Sequence, residues 1–209
     1  YFVVVTNDYW EHDSGEYGVT ASTSSVVGNV ETEDNSGLNN ADVLTNGQEI
    51  RGQLSKSWDE DFFSIYISSP GTIAVEFDAP TDSSADYFTV KLMKSDGTVL
   101  AAQETGKDMS FSAGVDAAGS YFVVVTNDYW DHDSGEYGVT ASTSNVPGNF
   151  ETEDNSTLGH ADVLTDGQEI RGQLMTSSDV DAFVIDIASP GTIEVEFDAP
   201  TNSSADYFT

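Results

Sequence analysis

Asp61-Phe-Phe-Ser-Ile-Tyr-Ile67 decides the fold once it is set beside Asp181-Ala-Phe-Val-Ile-Asp-Ile187. Phe63, Ile65 and Ile67 recur as Phe183, Ile185 and Ile187, whereas Phe62 becomes Ala182, Ser64 becomes Val184 and Tyr66 becomes Asp186. A strand sends successive side chains to opposite faces, so the fixed set is predicted to face a core and the drifting set solvent. Ile73, Val75 and Phe77 behave the same way, with Ala74 between them becoming Glu194.

The two segments belong to a longer repetition. Tyr1–Trp10 returns unchanged as Tyr121–Trp130, 120 positions on, and the match runs until Asp86-Tyr-Phe-Thr89 meets Asp206-Tyr-Phe-Thr209. About 70 of the 89 aligned positions are identical, which is the mark of a tandem array. The organisation expected is the end of one repeat (1–22), a linker (23–30), a complete repeat (31–142), a second linker (143–150) and the head of a third repeat (151–209). At about eight residues, rich in Ser, Asn and Gly, each linker holds neighbouring domains close enough to touch.

Within 31–142, strands are expected at Gln48–Leu54, Asp61–Ile67, Thr72–Asp78, Tyr87–Lys94, Val99–Gln103, Met109–Ala113, Tyr121–Thr126 and Glu136–Ser142. Ser69-Pro-Gly71, Ser95-Asp-Gly97, Ala118-Gly119 and Asp133-Ser-Gly135 supply the turns between them. About eight short strands per repeat predict an all-β protein of tandem antiparallel β-sandwiches. One helical segment is expected, a turn or two over Leu38–Leu44.

Six Lys and Arg stand against 37 Asp and Glu, a formal charge of −31. Such a field repels nucleic acid and anionic membranes, and works against compaction unless cations screen it. An acidic surface of this kind suits a saline medium. The chain is nonetheless 38% hydrophobic and 11% aromatic, unlike a disordered acidic tail. It has no cysteine, so no disulfide supports it, and no apolar stretch of transmembrane length.

Taken in order, several short motifs resemble the bacterial pre-peptidase C-terminal (PPC) domain. They are Glu31-Thr-Glu33-Asp-Asn35, Ala41-Asp-Val-Leu44, Ile50-Arg-Gly-Gln-Leu54, Asp59-Glu-Asp61-Phe-Phe63, Pro70-Gly-Thr-Ile73, Asp96-Gly97, Gly119-Ser-Tyr121-Phe-Val-Val-Val125 and Glu136-Tyr137-Gly-Val-Thr140. The resemblance implies a jelly-roll-like sandwich, secretion, and an accessory or surface role without catalysis.

The acidic opening of each repeat is the strongest candidate site. Glu31, Glu33 and Asn35 alternate along an extended segment, and Asp59 and Asp61 share that spacing, so each set can aim oxygens one way. A hard cation such as calcium takes six to eight oxygens. The next copy offers Glu151, Glu153, Asn155, Asp179 and Asp181. The pattern is similar to the related collagen-binding domains of bacterial collagenases, where a Glu-x-Glu-x-Asn linker and a later Asp pair hold calcium. Ser36 stands where those domains carry a further Asp, a departure that bears on a second ion. The alternative reading is plain solvated carboxylates at a domain edge.

A second acidic loop, Asp128-Tyr-Trp-Asp131-His-Asp133-Ser-Gly135-Glu136, has Asp8, Glu11, Asp13 and Glu16 as its earlier copy. It lacks the third Asp and distant Glu of a calcium loop and reads as a long hairpin connection. Tyr9, Trp10, Tyr129 and Trp130 are candidates for contact with a sugar or protein partner, or for packing on the sandwich edge or the adjacent repeat. Trp58 becomes Ser178 and Asn40 becomes His160, so neither position holds a fixed role. No nucleophile elbow, zinc-protease helix or phosphate loop is present, and no catalytic residues are expected.

These readings converge on a structural repeat of a long, secreted, acidic, calcium-stabilised surface adhesin or extracellular filament, from a bacterium in a saline setting. Its expected partners are neighbouring repeats and laterally placed copies, with a polysaccharide or surface protein as target, and neither nucleic acid nor membrane insertion. The alternative is a repeated carbohydrate- or protein-binding accessory module of a secreted protein or hydrolase.

Overall fold

The computed structural model describes residues 3–5, 18–21, 29–56, 58–81, 86–127, 135–146, 148–175 and 178–199. Nine strands run from Asp42 to Ser144: β1 (Asp42–Val43), β2 (Ile50–Gly52), β3 (Glu60–Ile67), β4 (Gly71–Asp78), β5 (Phe88–Lys94), β6 (Val99–Thr105), β7 (Met109–Val115), β8 (Gly119–Asn127) and β9 (Tyr137–Ser144). All eight strands expected from the sequence are present.

The strands form two sheets, ordered β1-β3-β8-β5-β6 and β2-β9-β4-β7. Every pairing is antiparallel except β1 with β3. The architecture is an all-β sandwich. In the following copy, β10 (Asp162–Val163) and β11 (Phe183–Val184) repeat the parallel pairing of β1 with β3.

The fixed residues face the core, as their recurrence predicts. Ile65 is 3% exposed whereas its neighbour Tyr66 is 64% exposed. Phe63, Ile65 and Ile67 meet Tyr121, Val123 and Val125 of β8 and Phe88, Val90 and Leu92 of β5 in one buried cluster, with Ile73, Val75 and Phe77 opposite. Burying each such side chain is worth about 1.5–3 kcal/mol. Phe77, Phe88 and Tyr137 pack ring to ring, with centroids 5.1–5.9 Å apart. Tyr137 thus sits at one end of the core, beneath the acidic opening segment.

Two departures matter. Leu38–Leu44 forms no helix. It holds a turn at 37–40 and then β1, whose Asp42 and Val43 pair with Phe63 and Ser64. The Asp42 carboxylate accepts the Thr32 amide at 2.8 Å, and Leu44 N–H donates to Ser64 at 2.8 Å, bonds that an isolated helical turn cannot offer. In β8, all five residues Tyr121–Val125 are buried instead of every second one. The strand lies mid-sheet, and on its outer face Phe122 and Val124 are flanked across the strands by Met93 and Phe62.

β9 continues through Thr143 and Ser144, the first two residues of the expected linker. Among the described residues no helix is long and apolar enough to cross a membrane.

Candidate metal centre

The opening segment is held against the sandwich by backbone bonds at both ends. Glu31 N–H donates to Arg51 at 2.9 Å, Arg51 N–H donates to Asn29 at 2.7 Å, and Phe62 N–H donates to the Asn35 carbonyl at 3.2 Å. This clamp lays residues 29–35 beside β2 and the start of β3, which carries Asp61. Glu31, Glu33 and Asp61 therefore converge, each offering an oxygen within 4.8 Å of the others. The following copy builds the same trio from Glu151, Glu153 and Asp181.

Each member is oriented by a different element. Glu31 Oε1 accepts the Gln53 amide at 2.6 Å, and Asn35 Nδ2 donates to Glu31 Oε2 and to Asp42 Oδ2, both at 3.3 Å. Asp61 Oδ2 accepts the Tyr137 hydroxyl at 2.5 Å. Gly52 completes the pocket, because a Cβ there would overlap both the Tyr137 hydroxyl and Glu31 Oε2. Gly172 stands in the same relation to the Glu151 carboxylate.

What remains is a set of orphaned acceptors. Asn35 and Asp61 are fully buried, yet Asn35 Oδ1 and Asp61 Oδ1 accept no hydrogen bond. In the following copy the corresponding Asn155 Oδ1 and Asp181 Oδ1 are also without a donor, together with Glu153 Oε1. A buried acceptor without a donor costs about 1–3 kcal/mol, and the cost recurs at matching atoms of both copies. Three converging carboxylates with an orphaned buried oxygen on Asp61 among them match the chemistry of a hard cation.

The electrostatics agree. Burial, resisted by the Tyr137 bond and reinforced by the Glu31 charge, pushes the Asp61 carboxyl up to about 8. Burial likewise raises Glu31 and Glu33, and takes Glu151 up to about 8. Tyr137 is raised well above the ordinary phenol range by burial and by the Asp61 charge beside it. The groups repel one another's ionisation, so either a proton or a cation must neutralise them.

Asp59 and Asp179 are placed differently from the trio. Asp59 Oδ2 accepts both the amide and the hydroxyl of Ser55, at 2.7 and 2.6 Å, and its Oδ1 lies 3.8 Å from Lys56 Nζ. Asp179 accepts the amides of Met175 and Val180 at 2.6 and 3.0 Å. Both brace the turn before Asp61 or Asp181. Sequence reasoning missed Asp42, Gly52 and Tyr137 as parts of the site, although all three stand inside motifs quoted above. Their signal was the recurrence of Asp42 and Gly52 as Asp162 and Gly172.

Tyr9, Trp10, Tyr129 and Trp130 lie outside the described residues, as do residues 128–134 of the second acidic loop. Glu136, at the end of that loop, accepts Arg51 Nη1 at 2.7 Å.

No family model matches the chain, and no curated protein matches it. Among solved structures it is similar to the pre-peptidase C-terminal domain of a collagenase from Bacillus anthracis. The TM-score is 0.40 at 17% identity, over 49% of this chain and 94% of that one. It is also similar to PliG of Aeromonas hydrophila, a periplasmic inhibitor of g-type lysozyme, with a TM-score of 0.38 at 8% identity over 50% of this chain and 99% of that one. The first of these is the family whose motif order the sequence resembles.

Proposed function

We propose that this chain is part of a tandem array of extracellular, non-catalytic PPC-like sandwiches, in which calcium at the opening of each repeat fixes one repeat on the next. The array serves a long surface adhesin or filament. The observation that carries the reading is the pair of orphaned buried oxygens, Asn35 Oδ1 and Asp61 Oδ1, recurring as Asn155 Oδ1 and Asp181 Oδ1. Glu31, Glu33, Asn35 and Asp61 would hold the ion, with Asp59 behind them, and Glu151, Glu153, Asn155, Asp181 and Asp179 would do the same in the next copy. The ion supplies the positive charge that the trio lacks.

Near-identical copies lengthen an object without changing its chemistry. That favours a mechanical role over a single accessory domain beside an enzyme. Residues 31–142 are the repeating unit in this reading, with 1–22 and 151–209 as parts of its neighbours. Calcium titration by calorimetry and melting curves at fixed ionic strength test it. Binding at submillimolar calcium with a rise in melting temperature supports it. Identical curves in calcium and chelator would leave only charge screening.

A further inference from the structure

The expected linker 143–150 leaves almost no free chain. Asn145 Nδ2 donates to Ser68 Oγ at 3.2 Å and Gly148 N–H to Thr72 Oγ1 at 3.0 Å, tying it to the complete repeat. The very next residue already belongs to the following copy, since the Asn149 carbonyl accepts the Arg171 amide at 2.8 Å. The change-over from one repeat to the next thus falls between Gly148 and Asn149.

Contacts far from the linker in sequence reinforce this passage. Gln173 places its side-chain amide on edge strand β6, with Nε2 donating to the Ala102 carbonyl at 2.8 Å and Oε1 accepting the Ala102 amide at 3.4 Å. Lys94 Nζ, at the end of β5, donates to the Glu153 carbonyl at 2.5 Å and lies 3.5 Å from Asp116. Gly114 of β7 meets the Phe150 and Glu151 carbonyls so closely that a Cβ there would collide with both. Three strands of one repeat thus hold the next, β5 and β7 at its opening segment and β6 at Gln173.

The grip falls on the backbone of the carboxylate cluster, at Glu151 and Glu153. Glu153 is only 7% exposed, whereas its counterpart Glu33 is exposed, and Glu151 is more buried than Glu31. Asp181, by contrast, is less buried than Asp61, to which the Tyr137 hydroxyl donates.

We propose that the β5–β6–β7 edge is a docking surface for the opening segment of the next copy, and that the preceding repeat forms the outer wall of the following repeat's cation site. The second clause rests on the calcium reading above, and the first does not. Each junction then couples two things: the angle between repeats and the retention of the ion. Along an array, an ion held beneath a docked neighbour leaves more slowly than one at an uncovered opening.

Because the chain has no cysteine, Val43→Cys with Leu158→Cys gives one spin-label pair spanning the junction for electron-electron distance measurement. A single narrow distance is expected in calcium, and chelator should broaden it only where the ion adds to the docking contacts. Gly114→Leu, which wedges β7 away from Phe150, should broaden it. Gln173→Ala, which lies outside the complete sandwich and leaves its fold intact, should broaden it too. A broad distribution in the parent, or a narrow one surviving both substitutions, would overturn the docking surface.

The ion clause has its own readout. Asp61→Asn and Asp181→Asn each leave one cluster intact, and stopped-flow chelation then gives each calcium off-rate. In the Asp61→Asn chain, Gln173→Ala should speed calcium release from the Glu151 cluster about tenfold, as loss of an outer-shell partner typically costs 10–100-fold in metal affinity, and should leave release from the Glu31 cluster of the Asp181→Asn chain unchanged. An off-rate at the Glu151 cluster unmoved by Gln173→Ala would overturn the wall, and absence of calcium binding at both clusters would sink the calcium reading itself while the distance measurement still decides docking.

Discussion

The Tyr137 hydroxyl donates to Asp61 Oδ2 at 2.5 Å from the hydrophobic side, while the buried Asp61 Oδ1 has no donor and the carboxylate lies beside Glu31 and Glu33. One carboxylate therefore joins the aromatic end of the core to the acidic opening of the repeat. Tyr137 packs against Phe63, Phe77 and Phe88, so the ordering of the site and the packing of the core depend on the same ring. Tyr137→Phe keeps the packing and removes the donor. It should destabilise the repeat by about 1–3 kcal/mol, the cost of an orphaned buried acceptor, as read by chemical denaturation in chelator.

The raised carboxyls fix the sign of a pH dependence. Asp61 lies at about 8 in the folded chain against an ordinary value of 3.8, so between these limits the folded state binds more protons than the unfolded. Stability without calcium should then fall as pH rises from about 4 to about 8. Glu151, also at about 8, adds to the same slope for the following copy. Saturating calcium replaces the proton and should flatten or reverse the slope. Denaturation midpoints at pH 5 and pH 8, each in calcium and in chelator, give the four values needed.

Asp61→Asn separates charge from shape. In chelator the amide is neutral without taking up the proton that Asp61 needs beside Glu31 and Glu33, so the variant should equal or exceed the parent in stability. In calcium it should lose the increment that the ion supplies. At a dissociation constant of about 10⁻⁴ M and a hundredfold excess of calcium, that increment is about 2.7 kcal/mol. A variant less stable than the parent by the same amount in both conditions would show that Asp61 acts only through structure.

The fold was legible because two copies sit in one chain. Ile65 stays fixed as Ile185 while Tyr66 drifts to Asp186, and this contrast alone oriented β3 correctly. β1 was not legible, since a two-residue parallel strand carries no alternation and its pairing with Phe63 and Ser64 depends on a partner 21 residues away. The carboxylates of the candidate site stood out by spacing. Tyr137 did not, because its role depends on the Phe77–Phe88 packing that brings the hydroxyl beneath Asp61. Nor did the grip of Lys94 and Gln173 on the junction, which depends on how two copies meet.

The same contrast yields a paired test of the sandwich. Ile65→Asp buries a charge among Phe63, Val123 and their neighbours and should unfold the repeat at room temperature. Tyr66→Asp, the exchange that the following copy already carries at Asp186, should change stability by less than about 0.5 kcal/mol. Circular dichroism melts of the two variants decide it.

Gly52 carries the last prediction, because it separates the shape of the site from its charge. It ends β2 where the Glu31 carboxylate and the Tyr137 hydroxyl approach the backbone, and a methyl group would occupy the space of both. Neither neighbour moves freely: Tyr137 is packed among three rings, and Glu31 is held by the Gln53 amide at 2.6 Å. Gly52→Ala should therefore cost about 1–3 kcal/mol as an overpacked core does, and should also weaken calcium binding by displacing Glu31 from Asp61. Gly119→Ala is the control, since a Cβ there meets nothing within 4 Å. Calorimetric titration of both variants separates the outcomes: a Gly52→Ala chain that binds calcium like the parent would show that the Glu31 carboxylate is dispensable to the ion.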